Sequence, residues 1–141
     1  MSFLLDTNVV SEWVKAAPNA NVVAWLGAVD EESVFLSVMT LAELRRGVEL
    51  LPVGRRRTRL ERWVADDLTS RFEDRIVPVD RLVAEAWGLI MVRSLGAGHN
   101  LGVMDGFFAA TAAAHQLTLV TRNTSHFERL GIQHLNPWEP N

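Results

Sequence analysis

Five short apolar runs, separated from one another by turn-forming residues and helical stretches, restrict this chain more than any other feature. They are Phe3–Leu5, Ser33–Met39, Arg75–Val79, Leu117–Thr121 and Ile132–Leu135. Runs this short, rich in β-branched and aromatic residues, read as buried strands. Between them, helical patterns cover Val9–Lys15, Ala20–Val29, Thr40–Leu51, an arginine-rich stretch to about Phe72, Asp80 to about Leu95, Asp105–His115 and a short piece at Ser125–Leu130. Strands alternating with helices make parallel βαβ units, so the expected fold is a three-layer α/β/α domain around a mainly parallel sheet. Pro78 places the third strand at an edge or ends it. The chain has no internal repeat, low-complexity tract or dividing linker, and residues 1–141 read as a single domain.

Composition narrows the chemistry. With 48% hydrophobic and 22% charged residues, 141 residues can enclose a core and are too apolar for disorder. Without cysteine, thiolate metal sites and disulfides are excluded, so any metal takes oxygen or histidine ligands. A cysteine-free chain also fits a cytoplasmic location. The start, MSFLLDTNVV, lacks a basic flank and is interrupted by Asp6, so neither a signal peptide nor a membrane span is expected. The net charge of -3 hides a cationic block: residues 45–62 hold seven arginines against two glutamates, a local charge of +5. Such a block is a phosphate footprint, an acidic partner's docking surface or a solvated helix face.

In open α/β sheets ligands bind beyond the carboxyl ends of the strands, where the strand order reverses. Asp6 follows the first strand, Glu43 lies early in the helix after the second, Asp105 opens the helix before the fourth, and Asn123 follows the fourth. Each also fits an ordinary helix start. Thr40-Leu-Ala-Glu43 has the form of a capping box, and Asp6, Asp105 and Asn123 all suit N-caps. Capping does not explain why Asp6 and Asp105 sit within apolar sequence, where a lone ionised carboxylate is costly unless a cation compensates it.

Several segments together decide between these readings. They are Leu4-Leu5-Asp6-Thr7-Asn8 with Ser11-Glu12, Ser37-Val38-Met39-Thr40-Leu41-Ala42-Glu43-Leu44 with Gly47, Met104-Asp105-Gly106-Phe107-Phe108-Ala109-Ala110-Thr111-Ala112, Leu119-Val120-Thr121-Arg122-Asn123, and Asn136-Pro137-Trp138. In that order the chain resembles a PIN-domain ribonuclease of the VapC toxin family, nearest in pattern to the FitB-like branch. The resemblance implies catalytic acids at Asp6, Glu43 and Asp105, which would hold Mg²⁺ or Mn²⁺, with Asn123 where the family often has a fourth acid. Asparagine brings oxygen without charge, so a second ion is expected to bind weakly or only with substrate. A few residues on, where other members carry an acid, this chain has His126, a late ligand or, more readily, a surface or capping residue.

The resemblance further implies hydrolysis of RNA to a 5′-phosphate and a 3′-hydroxyl, a cognate VapB-like antitoxin, and a homodimer assembled with it into a heterotetramer or larger. Two-metal phosphodiester cleavage sets its ions roughly 3.5–4 Å apart. Thr7 or Thr121 would donate to the scissile phosphate, or serve as turn residues. Five tryptophans (13, 25, 63, 87 and 138) are expected in the core, with some available for an interface. One rival is a catalytically weak module that grips nucleic acid without cutting it, kept open by Asn123. A small-molecule phosphohydrolase is opposed by the missing Asp-x-Asp pair, Asn8 taking the second place, and by the lack of a phosphate-binding glycine loop.

Overall fold

A computed structural model describes residues 1–140; the last residue of the expected domain, Asn141, lies outside the described residues. The strands are β1 (Phe3–Leu5), β2 (Val34–Ser37), β3 (Ile76–Val77), β4 (Thr118–Val120) and β5 (His134–Leu135). They form one sheet in the order β3-β2-β1-β4-β5, and every neighbouring pair is parallel. The expected edge position of the Pro78-bounded strand is the one observed. After β1 the chain builds outward to β2 and β3, then returns to β1's other side with β4 and β5. The order therefore reverses between β1 and β4.

Alternating strand residues feed two cores. Leu4 and Leu119 face a cluster with Val83, Ile90 and Phe108 from helices α6 (Arg81–Gly96) and α7 (Val103–His115). Leu5, Leu36 and Val120 face the opposite cluster, with Val9 and Val10 of α1 (Thr7–Val10), Val22 of α2 (Ala20–Ala28), Leu68 and Phe72. This period-two division of apolar residues makes the sheet the middle of three layers. All five tryptophans are half-buried and pack against one of these clusters, as their core reading requires.

Helix α3 spans Val38–Glu49 and α4 spans Arg55–Arg62; a π-helical turn, Trp63–Leu68, joins α4 to the short α5 (Thr69–Arg71). Several boundaries depart from expectation, two of them with a clear physical cause. The segment Ser33–Met39 is not strand throughout: β2 ends at Ser37, whose hydroxyl accepts from the Met39 amide and starts α3 three residues before Thr40. A serine able to cap outweighs the β propensity of the valine behind it. Arg75 lies before β3, with its guanidinium buried and donating to the carbonyls of Glu31, Val34 and Arg71. Asp80 caps α6 as its position suggests, accepting from the Val83 amide at 3.0 Å. Among the described residues no helix is long and apolar enough to cross a membrane.

Candidate metal centre and active site

The strand reversal places the carboxyl ends of β1 and β4 side by side, and Asp6 stands at the first of them. It is 5% exposed. Its backbone carbonyl opens α1 by accepting from Val9 and Val10, but its side chain makes no capping bond. Instead Thr121, at the end of β4 and fully buried, donates its hydroxyl to Asp6 Oδ2 at 2.7 Å. The backbone N–H of Asn123 donates in turn to Thr121 Oγ1 at 3.1 Å, which fixes the hydroxyl's remaining freedom.

Burial raises the Asp6 pKa from 3.8 to about 6; the Thr121 hydroxyl and the Thr7 amide oppose this, and the charges of Asp105 and Glu43 add to it. The last two effects place both acids within electrostatic reach of Asp6. Glu43, half-buried on α3, lies beyond that helix's first turn, so the capping box is not formed. Thr7 donates to Glu43 Oε1 at 2.6 Å and also stands 3.2 Å from the buried Thr40 hydroxyl.

Asp105 is the third residue of α7, whose N-cap is Gly102, so it is not an N-cap either. Its helix is drawn close to α6 at Gly106, where a β-carbon would lie 2.5 Å from Met91 Sδ and 2.8 Å from Trp87 Nε1. Trp87 uses that approach to donate to the Val103 carbonyl at 3.2 Å, holding the turn that carries Asp105. Asp105 Oδ2 is 3.1 Å from His126 Nδ1, and His99 lines the same 170 Å³ cavity. His126 is a surface residue, as one of the readings expected, with its imidazole half exposed and paired to Asp105. Asn123 caps nothing with its side chain, which is exposed, and reaches Asp6 only through the Thr121 hydroxyl.

The structure brings Glu43 and Asp105 within electrostatic reach of Asp6, but these two acids line separate cavities and the three are not gathered into a ligand set. Among the described residues no three Asp, Glu, His or Cys side chains converge at metal-binding distance. Each acid is turned to its own partner: Thr121, Thr7 and His126 respectively. Closing all three on one cation requires side-chain rotation. The threonines are also reassigned, because each has one hydroxyl proton and directs it at a carboxylate. Neither is a phosphate donor in this arrangement; both orient acids.

Two observations nevertheless fit a hard divalent cation here. A buried carboxylate pushed toward neutrality by two other acids is relieved by positive charge. Beside it, Asn8 Oδ1 is buried without a hydrogen-bond partner, a second oxygen available to an ion or its water.

Two further residues have no role assigned by sequence pattern. Glu12 is 2% exposed, ion-paired to Lys15, and accepts from the Asn19 amide at 2.9 Å. Burial pushes its carboxyl up, but the Lys15 ammonium, the Asn19 amide and the Arg122 charge outweigh that and hold it below its usual value. Arg56 lines a 260 Å³ cavity with Thr7, Ser11, Glu43 and Trp63. Its place in the arginine block was readable, but its orientation depends on how α4 rolls against α3.

The PIN-domain family matches residues 3–133. A VapC ribonuclease of Sinorhizobium fredii is 39% identical over 97% of this chain and 98% of its own length. The toxin FitB of Neisseria gonorrhoeae is 41% identical over 96% of this chain and 97% of that one. A solved structure of FitAB bound to a DNA fragment superposes with a TM-score of 0.94 at 38% identity, covering 99% of this chain and 97% of the other. With matches of that extent, in sequence and in fold alike, the chain belongs to the PIN-domain family, among the VapC and FitB toxins.

Proposed function

We propose that this chain is a divalent-metal-dependent endoribonuclease, the toxin of a type II toxin–antitoxin pair, acting in the cytoplasm with Mg²⁺ or Mn²⁺ at Asp6, Glu43 and Asp105. The observation that carries the reading is Asp6: a buried carboxylate at the strand reversal, with two further acids acting on it. Hard oxygen donors without thiolate suit either ion. When bound, such an ion would supply polarisation of a phosphodiester oxygen and a water more readily deprotonated than bulk water.

The chain's own groups prepare for this. Thr121 presents the Asp6 carboxylate, Thr7 presents Glu43, and the hydrogen bond from Trp87 to Val103 fixes the turn bearing Asp105. Hydrolysis adds water's oxygen to phosphorus, breaks the bond from phosphorus to O3′ and transfers a proton to that leaving oxygen, giving a 5′-phosphate and a 3′-hydroxyl. Asn123 orients water without adding charge. A second ion is therefore held weakly, and full activity calls for high metal concentration.

The FitAB structure resembled here holds DNA. By analogy the partner of this chain is a DNA-binding, VapB-like antitoxin whose tail places a basic residue among the acids. A homodimer within a heterotetramer or larger is the corresponding assembly. The outward side of α6, where Leu82, Leu89, Val92 and Leu95 are 54–70% exposed, supplies an apolar face for it.

Purified chain incubated with tRNA or single-stranded RNA tests the reading directly. Cleavage in Mn²⁺ and none in EDTA is expected, and Asp6→Asn or Asp105→Asn should remove both cleavage and Mn²⁺ binding. Wild-type cleavage by either variant overturns the site. The neutral Asn123 favours one other reading, a PIN-fold module that binds nucleic acid through its partner complex; RNA retained but uncut in Mn²⁺ would identify it.

A further inference from the structure

Six of the seven arginines of residues 45–62 divide into two populations; the seventh, Arg46, is exposed on α3, apart from α4. Arg45 and Arg57 are spent on carboxylates: Arg45 pairs with Glu49 at 2.5 Å, and Arg57 pairs with Glu49 at 2.6 Å and Glu61 at 3.1 Å. Arg55, Arg56, Arg59 and Arg62 have no carboxylate partner among the described residues, and all four are exposed.

The division follows the geometry of α4. Arg57 and Glu61, four apart, share the side turned to Glu49. Arg55, Arg59 and Arg62, at intervals of four and three, share another side. There, with Thr58, they line an open groove of about 650 Å³ that ends at Asp66 and Asp67. Arg56 lies between these sides and faces the cavity that contains Thr7 and Glu43. Four uncompensated guanidiniums thus run from the edge of the acidic centre outward along one helix, on a chain whose net charge is -3.

A solvated helix face does not require this segregation, whereas a polyanion's path does. Planar guanidiniums form paired hydrogen bonds with phosphate oxygens, and successive phosphates of one strand need successive cations. An acidic peptide would meet Asp66 and Asp67 at the groove's end with no specific gain. We propose that Arg56, Arg55, Arg59 and Arg62 hold the RNA backbone on one side of the scissile bond, Arg56 touching the phosphate nearest the acids. This inference rests on the ribonuclease reading of the acidic centre.

Fluorescence anisotropy of a labelled single-stranded RNA, titrated with the full chain in EDTA at several salt concentrations, tests the track apart from the chemistry. Replacing all four arginines with glutamine is expected to weaken binding at least about tenfold. The salt slope should fall by about 2–3, at roughly 0.7 for each phosphate that is no longer neutralised. The four-lysine variant keeps the slope and Arg45→Gln leaves both quantities unchanged. In Mn²⁺, Arg59→Gln and Arg62→Gln raise KM and spare kcat, whereas Arg56→Gln lowers kcat as well.

An unaltered slope in the glutamine variant, with cleavage by the wild type intact, overturns the track and leaves the nuclease standing. Normal RNA binding with loss of the antitoxin complex also overturns it, and makes the face a protein-docking surface. A wild-type chain that neither binds nor cuts RNA removes both readings. Thermal melting of the glutamine variant near wild type shows that the effect is not misfolding.

Discussion

Asp6 and Glu12 are six residues apart and almost equally buried, at 5% and 2% exposure, yet their acidities move in opposite directions. Glu12 has an ammonium, a backbone amide and a nearby guanidinium, so burial does not prevent its ionisation. Asp6 has a hydroxyl, an amide and two more acids, and burial drives its pKa to about 6. A buried carboxylate surrounded by its own counter-charges fastens a loop. One surrounded by like charges is stabilised only when a cation arrives, and clusters of that kind are characteristic of functional sites. The contrast assigns structure to one acid and chemistry to the other, and substitution at each can break it.

The largest difference is expected in catalysis. Asp6→Asn keeps the shape and an oxygen able to accept from Thr121, but removes the charge. RNA cleavage should fall by roughly 10²–10³-fold or more, the scale associated with losing one preorganised electrostatic group. Glu12→Gln should cleave within a few-fold of wild type. Gel-based initial rates at matched Mn²⁺ decide the matter; equal losses in the two variants would erase the distinction.

Next in size is the response to pH in EDTA. A folded-state value of about 6 against 3.8 for the free side chain means the folded chain holds the Asp6 proton more tightly. This contribution to stability is therefore complete below pH 3.8 and is lost as pH rises through about 6. At ~1.4 kcal/mol per pH unit it amounts to roughly 3 kcal/mol. Urea unfolding should show Asp6→Asn more stable than wild type at about pH 7.5, with the gap closing toward about pH 4. Glu12 has the opposite sign: its folded value lies below 4.5, so its contribution is present above 4.5 and lost in stronger acid. A flat difference between Asp6→Asn and wild type across that range would refute the assignment of Asp6.

Thr121 sharpens the comparison from the other direction. Its side-chain hydroxyl favours the charged form of Asp6, and no solvent reaches it. Thr121→Val preserves shape and removes that donor. Partners that orient a ligating group are typically worth about 10–100-fold in metal affinity or activity. Mn²⁺ affinity followed by electron paramagnetic resonance should fall within that range. Unaltered affinity would mean that Asp6 needs no orienting partner.

Much of this contrast was legible in the chain and much was not, for physical reasons. Alternation of strands and helices implies the parallel layered plan but not the order β3-β2-β1-β4-β5, since the chain crosses from β3 past β2 and β1 to reach β4; Asp6 lies where any parallel sheet of this plan exposes a strand end. The motif around Met104-Asp105-Gly106 marked Asp105, and the close approach at Gly106 gives a reason for the glycine. Ser37 against Thr40 as the start of α3 was not decidable, since both are good caps and the intervening Val-Met suits a strand. The acids' hydroxyl and imidazole partners are non-local. Thr121 lies 115 residues from Asp6, and no periodicity connects residues so far apart. Glu12 was visible only as part of a motif, because its burial depends on how the Lys15–Asn19 turn folds back over it.

Glu12→Gln carries the smallest expected effect and is the most discriminating control. Glutamine retains an oxygen for the Asn19 amide and loses only the ion pair, whose lysine partner is 54% exposed and can return to water. A pair with one member at the surface contributes little, so the loss should be about 1 kcal/mol. Chemical denaturation near neutral pH is the measurement. The substitution should also flatten the fall in stability below pH 4.5, since the group responsible is gone, while Mn²⁺ affinity remains that of the wild type. If Glu12→Gln instead lowered Mn²⁺ affinity as far as Thr121→Val does, Glu12 would belong to the acidic centre, and its position beside Asp6 would count for more than its separate cations.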